Sequence, residues 1–186
     1  DYLETPPSVN ELKRILGMLD LPAKDIVRRK EAKEAGVDPD ALDEDALLVA
    51  LNDASADARS HALRLAERSA VDSSAIRARL AGMTGDPSLV ARYQLAFSLG
   101  AASGPASAEA LAKLALRDGA DSWMRMAVLS SLGRGADLVF QRLAAEGGFR
   151  KTTHGSALLV ALADQIGAAG RDSEIAVVLK AMGGLS

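Results

Sequence analysis

The chain has 186 residues, of which 48% are apolar but only 3% aromatic, so a sizeable core must be built from Ala, Leu, Val and Ile. A formal net charge of −3 and a pI near 5.4 argue against a nucleic-acid footprint or an anionic membrane surface. The absence of cysteine excludes disulfides, thiolate chemistry and sulfur-ligated zinc; with only His61 and His154, a metal would need carboxylates, and no suitable cluster is seen.

Few β-branched runs and no strict apolar alternation leave little for a sheet, so the expected class is all-α. No apolar run approaches membrane-spanning length and no signal peptide heads the chain. Without an initiating Met the chain reads as a piece of a longer or processed protein. A cytoplasmic location is slightly favoured, and a periplasmic one stays open if the parent carries a signal peptide.

Pro6 and Pro7 forbid an early helix interior, and Ser8 with Glu11 forms a capping box. Leu12, Ile15, Leu16 and Leu19 then line one face of a helix ending near Asp20. Pro22 opens a second short helix carrying Ile26 and Val27, Gly36 stops the stretch after Lys30–Ala35, and Asp43 starts a helix burying Leu47, Leu48 and Leu51. The acidic run Asp38, Asp40, Asp43, Glu44 and Asp45 suits a helix N-terminus and lacks the spacing and glycine of a calcium loop.

The pieces YLETPP, ELKRILGMLDLPAKDIVRRK and DEDALLVALND, in that order, resemble the helical lobe of glutaredoxin-linked arsenate reductases over residues 1–53. The resemblance implies a thioredoxin-like ancestry, a cysteine that attacks arsenate and three arginines that stabilise the oxyanion, one of them matched in IVRRK by Arg28. The nucleophilic cysteine is missing, as are the cis-proline segment and the other arginines. Without a thiolate no thiol–arsenate adduct forms. Arg28 is therefore read as a structural residue, with anion binding as the lesser alternative.

Beyond Asp53 the chain repeats itself. RSHALRLAE, RYQLAFSLG and RMAVLSSLG begin at Arg59, Arg92 and Arg125, at 33-residue intervals, and a weaker copy, LVALADQIG, begins at Leu159. A period in the thirties built from helical segments marks stacked helical hairpins. The expected pairs are Asp43–Leu51 with Ser55–Ala70, Ser73–Met83 with Pro87–Gly100, Ala106–Leu116 with Asp121–Gly133, and Ala136–Ala145 with Ser156–Ala168. Ser173–Met182 would be a closing helix. Gly85, Gly100, Gly119, Gly133 and Gly167 are expected to sit where the chain reverses.

Asp53 precedes Arg59 by six residues and Asp86 precedes Arg92 by six, while the third copy is looser, with Asp118 and Asp121 near the expected place before Arg125. An aspartate at such a turn can accept backbone N–H groups and an arginine from a neighbouring repeat, which makes these residues a structural ladder. This part of the chain resembles HEAT-type repeats, in which paired antiparallel helices stack into a superhelix and such a ladder runs along the stack. VARYQLAFSLG and DSWMRMAVLSSLG further resemble the HEAT arrays of large planctomycete-type haem-binding proteins. No CxxCH motif is present, so haem is not carried over.

Other candidates are few. His61 and His154 lack a readable catalytic partner. Trp123 is read first as inter-repeat packing and second, if partly exposed, as an anchor for a partner; Tyr93 shares its repeat position with Met126 and falls on a surface or groove. Residues 147–154, GGFRKTTH, are expected to form the longest irregular connector, a solvated loop whose Arg150 and Lys151 form an alternative site for an acidic group. No phosphate-cradling glycine motif occurs.

These features predict an all-α, right-handed α-solenoid of about four HEAT-like hairpins plus a closing helix over residues 43–186, with residues 1–42 as an N-terminal helical cap. The expected function is a non-catalytic scaffold that binds a protein or peptide along one face of the second helices, with no cofactor, as a monomer or an end-to-end homo-oligomer. The alternatives are an inactive remnant of an arsenate reductase and a helical-repeat domain of a larger periplasmic electron-transfer protein.

Overall fold

The computed structural model describes residues 44–183. The chain divides into two units between Leu42 and Asp43, and the described residues belong to the second. The expected cap helices, Arg28 and the helix start at Asp43 lie outside the described residues.

Among the described residues the fold is entirely helical, without a strand. The helices are α1 (Glu44–Ala50), α2 (Ala56–Ser69), α3 (Ser74–Gly82), α4 (Leu89–Ala102), α5 (Pro105–Asp118), α6 (Ser122–Ser130), α7 (Ala136–Ala144), α8 (Gly147–Arg150), α9 (Thr153–Ala169) and α10 (Asp172–Gly183), with a 3-10 turn at Met83–Gly85. Hydroxyl and carboxylate side chains set most of the starts. Ser55, Ser73, Ser88 and Thr152 each accept the N–H three residues on, and Asp121 accepts those of Trp123 and Met124. Each such cap satisfies a donor the helix leaves unpaired and contributes about 1 kcal/mol.

The helices meet in two rows. α1, α3, α5, α7 and α10 touch in succession along one row; α2, α4, α6 and α9 do so along the other, and partners such as α3 with α4 and α5 with α6 join the rows. The shared core is a column of leucines, with Leu51, Leu63, Leu80, Leu95, Leu99, Leu111, Leu114, Leu143, Leu158 and Leu162 fully buried. Removing each from water stabilises the fold by about 2 kcal/mol. Ala66, Ala96, Ala112, Ala115 and Ala127 are also inaccessible, and their small side chains let helix axes approach.

Two sequence expectations are corrected. Gly100 and Gly167 lie inside α4 and α9 and do not reverse the chain. Among the described residues the glycines with positive φ are Gly104, Gly135 and Gly170. Gly100 lies at a close approach of two helices: a Cβ there would be 3.2 Å from Ser131. The second correction concerns residues 147–154. Gly147–Arg150 is the helical turn α8, and Thr153 and His154 already belong to α9. Phe149, 8% exposed, ties the segment down by packing edge-to-face on His154, with ring centroids 5.6 Å apart.

Candidate functional site

The arginines spaced by 33 residues sit one turn into α2, α4 and α6. Arg59 donates from Nε and Nη2 to the two carboxylate oxygens of Asp86, at 2.7 and 2.8 Å. Its Nη1 donates to the carbonyls of Asp53 and Ala54, at 2.8 and 3.0 Å. Arg92 repeats the arrangement, with Nε and Nη2 at 2.7 and 2.8 Å from Asp118 and Nη1 2.6 Å from the carbonyl of Asp86. Each guanidinium thus holds its own inter-helix turn by the backbone and the next turn by its carboxylate. Such two-pronged pairs are strong because the planar fork matches the carboxylate.

The third copy divides the work. Asp86 takes Arg59 and also accepts the N–H of Ser88, at 2.8 Å. Downstream, Asp118 takes the arginine while Asp121 caps α6 through Trp123 and Met124, at 2.7 and 3.1 Å. That is why two aspartates crowd the looser copy. Asp53, first in the series, accepts the N–H of Ser55 at 2.7 Å. Arg125 grips the carbonyls of Gly119 and Ala120 and pairs with no carboxylate among the described residues.

The Arg59 hydrogen bonds hold the Asp86 carboxyl below the usual carboxylate range, against an opposing push from burial; the Ser88 N–H and the Arg59 and Arg92 charges add to the lowering. Reciprocally, Asp86 raises Arg59 and Asp118 raises Arg92, each mainly through the side-chain hydrogen bond and again against burial. Removing one partner of such a buried pair would leave the other charge uncompensated.

A polar relay lies further along the α2–α4 contact. The buried Ser98 hydroxyl donates to Glu67 at 2.9 Å, Gln94 donates to the same oxygen at 3.2 Å, and Arg64 donates to Gln94 at 2.8 Å. Ser98 recurs as Ser131 at the 33-residue spacing, but its partner Glu67 is replaced by glycine in the later copies, so the pattern did not announce the relay.

The outer face of α4 and α6 is different in kind. The charged residue within α4 is Arg92, and within α6 Arg125, and both are engaged at the turns. The large apolar side chains left on the surface are Leu89, Val90, Phe97, Trp123 and Met126, at 46%, 60%, 41%, 66% and 61% exposure. Tyr93, half-buried, stands edge-on to Phe97 with centroids 5.1 Å apart. Leu89, Val90, Tyr93, Asp121, Trp123 and Met124 enclose a shallow apolar groove. Tyr93 and Trp123 are therefore brought together, and Trp123 is an exposed side chain, contrary to its first reading as packing. Phe97 was missed, although it stands one helical turn after Tyr93 on the same face.

Arg150 ends α8 and Lys151 follows it; neither lines the groove, and neither side chain forms an ion pair among the described residues. His61 is exposed and His154 packs on Phe149, and neither imidazole makes a hydrogen bond among the described residues. Among the described residues no three His, Asp or Glu converge on a metal position, and no helix is long and apolar enough to cross a membrane. Compared with protein-family models, curated proteins and solved structures, the chain gives no significant match.

Proposed function

We propose that residues 43–186 are a non-catalytic, protein-binding module of HEAT-like repeats arranged as a right-handed α-solenoid, and that the outer face of α4 and α6 receives an amphipathic segment of a partner protein. The 33-residue spacing of Arg59, Arg92 and Arg125, the two helix rows and the repeated arginine–aspartate pairs support the repeat reading. The observation that carries the binding reading is the shallow apolar groove around Tyr93, Trp123 and Val90, with Asp121 as its one charged wall residue. An exposed tryptophan beside a half-buried tyrosine in an apolar groove is the composition of a binding hot spot. Arg64 occupies on α2 the place that Phe97 occupies on α4, so the apolar strip is bordered by positive charge. The fitting partner segment therefore presents apolar side chains to the groove and an acidic residue toward Arg64.

Selection from a displayed peptide library tests this, followed by titration of the enriched peptides against the wild-type chain, Trp123→Ala and Tyr93→Ala. The expected result is enrichment of apolar sequences with an acidic flank and a loss of affinity of tenfold or more in both variants. Enriched peptides that bind both variants as tightly as wild type would overturn the assignment of this face.

A further inference from the structure

In each of three repeats the arginine is anchored by Nη1 to the carbonyl six residues before it: Arg59 to Asp53, Arg92 to Asp86 and Arg125 to Gly119, at 2.8, 2.6 and 2.7 Å. That anchor leaves the Nε–Nη2 edge for a second partner. On Arg59 and Arg92 the edge holds both oxygens of a carboxylate. On Arg125, which is half-buried, the same edge donates to nothing among the described residues. It is also open to solvent, because among the described residues the only buried side-chain donor without a partner is Arg79 Nε.

The sequence that should complete the third pair has changed sign. Phe149 lies against the turn that Arg125 grips, since a Cβ on Gly119 would be 3.3 Å from its ring, and Arg150 and Lys151 follow Phe149 directly. Lys151 comes 26 residues after Arg125, as Asp118 comes after Arg92. Arg150 stands two residues before Thr152, which caps α9, as Asp86 stands two before Ser88, which caps α4. By either count a cation occupies the place of the aspartate. The neighbouring carboxylates are committed elsewhere: both oxygens of Asp118 hold Arg92, Asp121 caps α6, and Glu146 pairs with Arg142.

We infer that the Nε–Nη2 edge of Arg125, together with Lys151, is a binding site for a carboxylate ligand, either an aspartate side chain of another polypeptide or a small free carboxylic acid. Asp86 and Asp118 show which group this edge accepts when the arginine is anchored in this way. Two parallel charge-assisted hydrogen bonds hold such a group, and a guanidinium already fixed to its own turn loses little freedom when the ligand docks. The positive charge of Arg150 and Lys151 draws an anion toward the edge. The inference does not rest on the apolar groove.

Titrating the full chain with sodium acetate, and separately with N-acetyl-aspartate N-methylamide, at constant ionic strength and neutral pH tests the inference, with the arginine Nε–H signals followed by NMR. The Arg125 signal is expected to shift saturably, while those of Arg59 and Arg92, whose edges are filled, stay in place. Lys151→Gln should weaken binding about threefold, and Lys151→Asp should abolish it by supplying the missing carboxylate from within the chain. Lys151 is exposed, so neither variant disturbs the core. Tighter binding of the aspartate amide identifies a polypeptide side chain as the source, and equal or tighter binding of acetate identifies a free acid. No saturable shift, equal shifts at all three arginines (an adventitious ion only), or an affinity unchanged in both Lys151 variants would overturn the proposal.

Discussion

Arg59 and Asp86 stand 27 residues apart and meet through two parallel hydrogen bonds of 2.7 and 2.8 Å, with both side chains about nine-tenths buried. One end of the fork is therefore committed to the following repeat, while Nη1 stays on the carbonyls of Asp53 and Ala54.

Removing either partner strands the other. Arg59→Ala should destabilise the fold by about 3 kcal/mol and Asp86→Asn by about 2 kcal/mol. Combined, they should cost about 1–3 kcal/mol less than the sum, because the second substitution removes a charge already orphaned. Urea melts of the four proteins measure this, and additive losses would show that the pair is not coupled.

The same pair gives the acid limb of stability a sign. Asp86 ionises at lower pH in the folded chain than in the unfolded one, chiefly because Arg59 donates to it. Its contribution is fully present above the ordinary aspartate value, about 3.9, and is lost as pH falls through the folded value. Wild type should lose stability on acidification below about pH 4, and Asp86→Asn, already weakened, should lose less over that interval. Denaturation midpoints followed down in pH check the difference in slope.

Neighbouring residues on α6 should behave oppositely. Met124 is fully buried and Trp123 is 66% exposed. Met124→Ala should cost about 2–4 kcal/mol through the cavity it leaves. Trp123→Ala should stay within about 0.5 kcal/mol of wild type, although it removes the largest side chain in the chain. Thermal or urea unfolding separates the two.

Two glycines within α9 give a matched contrast. A Cβ on Gly155 would lie 2.0 Å from the Phe149 carbonyl oxygen, whereas one on Gly167 would meet nothing within 4 Å. Gly155→Ala should destabilise by about 2–3 kcal/mol, since backbone must move to admit the methyl. Gly167→Ala should stabilise by about 0.5–1 kcal/mol, from helix propensity alone. Equal effects in urea melts would mean that the α8–α9 approach is looser than described.

Helix placement was legible where it depends on local chemistry. Ser55, Ser73 and Asp121 start helices because their side chains reach backbone donors two or three residues away, and that information lies within one turn. Gly85, Gly119 and Gly133 fall between α-helices as expected, whereas Gly100 and Gly167 were misread for the complementary reason. Gly100 looks like a stop signal, but its role is set by Ser131, 31 residues on, and no local pattern records a close approach of two helices. Residues 147–154 read as a loop because Gly147, Gly148 and two threonines outweigh one phenylalanine; the burial of Phe149 against His154 decides otherwise. The ladder's residue types were visible from their spacing, whereas its pairing, each arginine reaching forward to the next turn, is a tertiary fact. Trp123 was ambiguous because exposure of a single large side chain depends on what the adjoining helix places beside it.

Arg125 holds its own turn as Arg59 and Arg92 hold theirs, yet its outer fork meets no carboxylate among the described residues. The equivalent place, 26 residues on, is occupied by Lys151, where Arg92 finds Asp118. Cooperativity should therefore stop at an ionic frontier. Amides of α2 and α4 should exchange with solvent only when the whole cross-linked block opens, and those of α7, α9 and α10 should exchange earlier, through a partial opening that leaves the block intact. Charge reversal by Lys151→Asp moves that frontier toward the C-terminus and merges the two exchange classes.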